Sequence, residues 1–259
     1  MRHVRTFGAA IALWLIASGG QAQSLADRVS AAAEPRVQFT YAARPDVCGN
    51  GRSFIQVAGD QWYGSWIEGE RRDSCATGPV RVVLDRAGKD VVAIATFAGP
   101  EQPAAAGVRD LGLVRSADAA NYFLTLAERA DGRVSRDAVL PAMLADSVDV
   151  GSRLLAIARN QNAARETRRT AISWLGRSLD VRERPVTSIA DVLVQIAKDD
   201  DDNQSVRQQA LRTLGRLEHG AGTAQLMELA RVAACAVIHF RSVSGGALNR
   251  RVGSPSGPL

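Results

Sequence analysis

Apolar positions along this chain change period near residue 115. Upstream they alternate with polar ones. Val37, Phe39 and Tyr41 have polar neighbours between them, the pattern of a half-buried strand. Ser53 to Ala58, Gln61 to Ile67, Val80 to Leu84, Val91 to Phe97 and Val108 to Leu113 read as further strands. Asp85 to Asp90, with Gly88, suits a hairpin connection, and Cys48-Gly49-Asn50-Gly51 reads as a turn because Asn-Gly tolerates positive φ. A short helix precedes the strands over Ser24 to Ala33, with Ser24 at its cap. From Ser116 the apolar residues fall three and four apart. Ala119, Phe123, Leu126 and Ala127 form one stripe, and Val134 to Leu144 forms a partner helix that Pro141 should kink.

Within the helical half two stretches are copies offset by thirty-nine residues, Val150 to Arg177 and Ile189 to Arg216. Laid over each other without a gap, Leu154 meets Leu193, Ile157 meets Ile196, Arg168 meets Arg207 and Ala171 meets Ala210. Ile172 likewise meets Leu211, Leu175 meets Leu214 and Gly176 meets Gly215. Such a period implies helix pairs whose apolar faces are too wide to bury alone and are buried by stacking. Ser188 and Asp191 read as a capping box for the second copy. A third copy begins at Leu226, Leu229, Ala230 and Arg231, but Val232 to Phe240 runs apolar without the expected second helix. Residues 232–259, rich in Gly, Ser, Pro and Arg at their end, read as an aberrant or disordered tail. Either the reading frame of the gene is lost near Arg231, which would account for an odd Cys235, or the tail is native.

Composition changes the picture in two places. Hydrophobic residues make up 46% of 259, enough for a sizeable core. Only Lys89 and Lys198 are lysines, so the basic residues are nearly all arginine, which points to coding bias more than to nucleic-acid binding. At the N-terminus Arg2, His3 and Arg5 precede an apolar run from Phe7 to Ala17, with Gly20 and Ala22 at −3 and −1 of a cut after Ala22. Residues 1–22 thus read as a secretory signal, too short to span a bilayer. Export predicts a periplasmic or secreted protein with no stable membrane span after cleavage. Losing Arg2 and Arg5 lowers the net charge from +5 to +3. In an oxidising compartment Cys48 and Cys75 are expected to pair as a disulfide; neither has a second Cys or a His at metal-ligand spacing.

Val/Thr-Arg-x-x-Ala-Ile/Leu-x-x-Leu-Gly stands at Thr167 to Gly176 and again at Val206 to Gly215. Ile157-Ala158-Arg159 and Ile196-Ala197-Lys198 precede the two copies. These motifs resemble HEAT repeats, the armadillo-like α-solenoid family, over about 116–231. The whole also resembles bacterial exported proteins that join a disulfide-bearing β-rich segment to HEAT repeats. The resemblance implies a mainly α protein with a small antiparallel β domain over 23–112 and helical repeats over 113–231. It implies a scaffold or binding surface and no particular chemistry.

The chain holds little catalytic material. After signal removal only His219 and His239 remain, so a Ser-His-Asp triad or a His-rich metal site has almost nothing to work with. Asp199 to Asp202 forms an acidic run in the turn of the second repeat. It lacks the alternation and distal Glu of an EF-hand loop and reads as a solvated turn, with its last Asp or Asn203 capping the next helix. Trp62 and Trp66 share a strand face, either as core or as a stacking platform for a ligand. Arg168 and Arg207 are either a basic ridge toward an acidic partner or structural residues paired within the repeats. The expectation is a non-enzymatic exported scaffold, without cofactor, metal or nucleic acid, binding another envelope or secreted protein through its repeats. The alternative is a ligand-binding accessory module centred on Trp62 and Trp66.

Overall fold

The structure is a computed structural model and describes residues 23–57, 61–64, 75–176, 186–217 and 222–231. Helix α1 (Leu25–Ala31) starts where the Ser24 hydroxyl accepts the Asp27 N–H. Seven strands follow: β1 (Arg36–Tyr41), β2 (Val47–Gly49), β3 (Phe54–Val57), β4 (Gln61–Gly64), β5 (Val80–Ala87), β6 (Asp90–Ala98) and β7 (Val108–Leu113). They form two sheets, β6-β5-β1-β7 and β2-β3-β4. The larger sheet is mixed, which corrects the antiparallel expectation: β7 lies parallel to β1, whereas β1-β5 and β5-β6 are antiparallel. β6 and β7 therefore run in the same direction, and residues 99–107 must cross to the far edge of the sheet instead of closing a hairpin.

Two further expectations are corrected. Cys48 and Gly49 belong to β2, paired with Gln56 and Ile55, so the turn lies two residues later. There the Asn50 carboxamide oxygen accepts the N–H groups of Arg52, Ser53 and Phe54, and Gly51 takes φ +73°. β1 is not half-buried: Gln38 and Thr40 are 2% and 7% exposed, because β1 lies between β5 and β7 and the paired side chains of Val83, Asp110, Arg81 and Leu113 flank them. Gln38 meets that burial by donating to the Asp110 carboxylate on β7 at 2.9 Å. The disulfide between Cys48 and Cys75 is present, beside a bridge between Gly49 and Ala76.

The helical part comprises α2 (Ser116–Arg129), α3 (Gly132–Asp137), α4 (Val139–Met143), α5 (Gly151–Arg159), α6 (Arg165–Leu175), α7 (Val186–Lys198), α8 (Gln204–Leu214) and a last helical segment over 223–231. α5 packs on α6, α7 on α8, and α6 on α8. Pro141 acts one turn upstream of itself. Its ring excludes the carbonyl four residues back, and the helix breaks there, between Asp137 and Val139. α7 begins at Val186, so Ser188 lies inside the helix and not at its cap.

Sheet and helices share one continuous core. Val37, Phe39, Tyr41, Val80, Val82 and Leu84, all 0% exposed, are buried together with Ala119, Ala120, Phe123, Leu124 and Ala127 of α2. The Phe39 and Phe123 rings stack at 5.7 Å between centroids. The buried Tyr41 hydroxyl donates to the Pro141 carbonyl at 2.6 Å, and burial holds its pKa well above the usual tyrosine value. Residues 112 and 113 both belong to β7, and the change from strand to helix between Leu113 and Ser116 falls within one core. Among the described residues no helix is long and apolar enough to cross a membrane.

Candidate functional site

The turns between the paired helices lie along one edge of the helical layer, and the two repeats build them identically. α5 ends where Asn160 leaves the helical region at ψ 98°, and its side-chain oxygen accepts the Asn162 N–H at 3.0 Å. Thirty-nine residues on, the Asp199 carboxylate accepts the Asp201 N–H at 3.1 Å. The backbone bond from Ala163 to Asn160 recurs from Asp202 to Asp199. Asn and Asp favour this turn because a short side-chain acceptor reaches the N–H two residues ahead.

Two contacts stitch the first turn to the second. Gln161 donates to Asp199 at 2.7 Å. Arg168 reaches across to Asp202 with both terminal nitrogens, Nη1 to Oδ1 and Nη2 to Oδ2, each at 2.6 Å. Its Nε donates to the Ala158 carbonyl at 3.0 Å, so every nitrogen of the guanidinium is engaged. The pair is buried, with side chains 3% and 4% exposed. Asp202 also accepts the Asn203 N–H, and its pKa lies below the usual carboxylate value chiefly because of the Arg168 hydrogen bonds, against the opposing effect of burial.

Arg207, at the equivalent position, behaves differently. Its side chain is 25% exposed and turns back to its own turn, to Asp200 at 2.7 Å and the Asp199 carbonyl. The two arginines therefore form no ladder: one is consumed between repeats and one lies against the acidic run. Within that run Asp199, Asp200 and Asp202 have separate partners, and Asn203 caps α8 by accepting the Ser205 N–H.

Beside these turns lies an open cleft of about 420 Å³. Its walls come from three helix starts: Gly132, Arg133 and Arg136 of α3, Arg165 and Glu166 of α6, and Asn203 at the start of α8. A buried hydroxyl pair, Ser135 to Thr167 at 2.5 Å, ties α3 to α6 behind it. Arg136 pairs with its neighbour Asp137 and Arg165 with Glu166, both pairs being partly exposed. Arg133 is exposed and has no ion-pair or hydrogen-bond partner among the described residues. The cleft was not legible as a motif, because its arginines share no spacing. One local signal was available: Arg165 sits in the first turn of α6, where the helix dipole opposes a cation.

The aromatic candidates cannot be joined to this site. Trp62 occupies β4 opposite Gln56, but its side chain lies outside the described residues, as does Trp66 altogether. His219, His239 and Cys235 also lie outside them. Among the described residues no group of three or more His, Cys, Asp or Glu is placed to hold a metal ion. Comparison with known protein families, with curated proteins and with solved structures returns no match.

Proposed function

We propose that this is an exported, non-enzymatic scaffold that binds another envelope or secreted protein through the turn-bearing edge of its stacked helix pairs, in the manner of a HEAT-type solenoid. One observation carries the reading. Two helix pairs repeat the same turn geometry, their equivalent apolar positions are spent on packing, and Gln161 and Arg168 of the first pair join its turn to the second. The side chains left free at the edge, Asn162 and Asp201 among them, are polar and exposed. A surface of this kind serves recognition by shape and charge. The signal-like residues 1–22 and the Cys48–Cys75 disulfide support export into an oxidising compartment.

The test uses the full chain, since sheet and helices share a core. Wild type, an edge variant (Asn162→Ala with Asp201→Arg) and a sheet variant (Val92→Asp) are compared in stoichiometric capture from an envelope extract. A defined partner retained by wild type and the sheet variant but lost by the edge variant is the expected result. Retention by all three, or loss only in the sheet variant, overturns it. Small-ligand binding abolished by Trp62→Ala, with no protein captured, would favour an accessory module in the β-rich part instead.

A further inference from the structure

We infer that the cleft between α3, α6 and the start of α8 is a carboxylate-binding site that takes the acidic side chains of a short peptide segment on the partner. This rests on the scaffold reading and names the chemistry of its partner.

Three arginines and one glutamate line the cleft, so its walls carry a formal +2. The arginines are available. Arg133 has no partner among the described residues, and Arg136 and Arg165 hold only sequence neighbours, in pairs whose side chains are 42% and 28% and 58% and 42% exposed. Exposed pairs of this kind are worth little and exchange readily for a better-placed acceptor. A guanidinium matches a carboxylate with two parallel N–H donors, so an incoming Asp or Glu gains what these pairs do not supply.

Position strengthens the case. Arg165 stands in the first turn of an eleven-residue helix, where a cation is disfavoured locally. Its pair with Glu166 in the same turn is half-exposed and offsets this only weakly, and side chains that break a local rule concentrate at functional sites. The arginines that are structurally needed here are treated otherwise: Arg168 is buried on Asp202, and Arg86 is buried while donating to four carbonyls. Those lining the cleft are left toward solvent.

The neighbourhood selects the ligand class. Along the same edge the second turn carries Asp199, Asp200 and Asp201, of which Asp200 is 99% exposed. A long polyanion lying along the edge would meet those carboxylates. A short acidic segment seated in the cleft need not, and a volume of about 420 Å³ accommodates one or two acidic side chains. The acidic turn also gives the edge a polarity, which would orient a segment whose other end is basic.

The experiment is fluorescence anisotropy of a labelled oligoglutamate peptide with the full, oxidised chain at low salt, using an oligoglutamine peptide, inorganic phosphate and heparin as comparisons. The double reversal Arg133→Glu with Arg165→Glu is expected to weaken the oligoglutamate peptide by about a hundredfold, roughly tenfold for each charged hydrogen bond lost. Arg52→Glu with Arg109→Glu, two exposed sites in the β-rich part, reverses the same amount of charge and should leave binding unchanged. Arg133 and Arg165 are exposed, and an unchanged thermal midpoint confirms that the cleft variant folds. No binding of the oligoglutamate peptide, or equal weakening by the control, overturns the assignment. Phosphate binding without peptide binding overturns it in favour of a small-anion site, and tighter binding of heparin overturns it in favour of a polyanion. If capture of the partner survives the cleft variant, the cleft assignment fails while the scaffold reading stands.

Discussion

The helix pairs α5/α6 and α7/α8 carry the same apolar pattern in the same register, yet they are not buried alike. Positions that face inward within a pair agree: Leu154 and Leu193 are both 0% exposed, as are Ala171 and Ala210. Positions that face the next unit differ. Ile172 is 0% exposed and its counterpart Leu211 is 37%. The Arg168 side chain is 3% exposed and that of Arg207 is 25%. What each residue does is set by whether a following pair lies against it, because α6 packs on α8. Arg168 finds Asp202 thirty-four residues on; at the same offset from Arg207 stands Arg241, a second cation. Repeat sequence determines a shape, and the neighbour determines the energetic role.

The sharpest way to break this equivalence is to remove one partner of the buried pair. Asp202→Ala leaves the Arg168 guanidinium buried without a counter-charge and should cost about 3–5 kcal/mol. Arg207→Met, at the equivalent arginine, should change stability by less than about 1 kcal/mol, because Asp200 remains solvated. Replacing both members together, Arg168→Met with Asp202→Leu, should recover most of the loss, since a buried pair adds little over an apolar substitute. Chemical denaturation of the three variants measures this. Acid provides an independent check. A carboxylate with a depressed folded pKa contributes stability that is present above its unfolded value, about 3.9, and is lost as pH falls through the folded value. Asp202 is such a group, so wild type should lose stability below about pH 4 more steeply than the double replacement does.

A second contrast tests packing alone. Ile172→Ala opens a cavity in a site with no solvent and should cost about 3 kcal/mol. Leu211→Ala truncates a side chain that already meets water and should cost about 1 kcal/mol. Equal losses would mean that Leu211 is covered in solution, and the asymmetry between the pairs would then be refuted. Thermal denaturation followed by circular dichroism suffices.

The glycines at the ends of α6 and α8 sharpen the same point. Neither needs a positive φ, at −88° for Gly176 and −69° for Gly215. A Cβ on Gly176 would come within 2.5 Å of Thr213 Cγ2, a β-branched side chain that is 2% exposed and has no room to turn away. Gly176→Ala should therefore cost about 2 kcal/mol by overpacking. At Gly215 the nearest atom would be Leu226 Cδ1 at 3.5 Å, an ordinary contact. Gly215→Ala should be neutral or stabilise by about 0.5 kcal/mol through the unfolded chain.

These contrasts show which parts of the molecule were legible in sequence. The helix pairs were, because a 3.6-residue period and a repeat offset are local or directly comparable signals. Pro141 was legible as a disturbance, and the break at Ala138 follows from its missing N–H and the carbonyl it excludes. β2 was not, because three residues containing Cys and Gly carry no alternation. The parallel β1–β7 pair was not either, since strand direction is fixed by where a connection travels and not by the strand itself. In the candidate site, Arg168 and Arg207 were visible as equivalents, but their divergence depends on Asp202, whose counterpart in the first repeat is Ala163. Arg133, Arg136 and Arg165 meet only in space.

The smallest effect concerns the starts of the two second helices. α8 is capped by Asn203, whose side chain accepts the Ser205 N–H at 3.0 Å, whereas α6 begins after Ala164, which has no side-chain acceptor. Their backbones at the cap are nearly the same, φ −59° and ψ 127° at Asn203 against φ −54° and ψ 132° at Ala164. Geometry therefore permits a cap at both, and only chemistry differs. Asn203→Ala should cost about 1 kcal/mol, and Ala164→Asn should gain a fraction of that by supplying α6 with the missing acceptor. Ala164 lines the cleft, so its gain should disappear if the new carboxamide is drawn to Arg133 or Arg165 instead. Measuring both substitutions by urea denaturation, with and without the oligoglutamate peptide, separates the two fates. A gain in stability that the peptide leaves intact means the asparagine serves the helix, and a gain that appears only with the arginines reversed means the cleft competes for it.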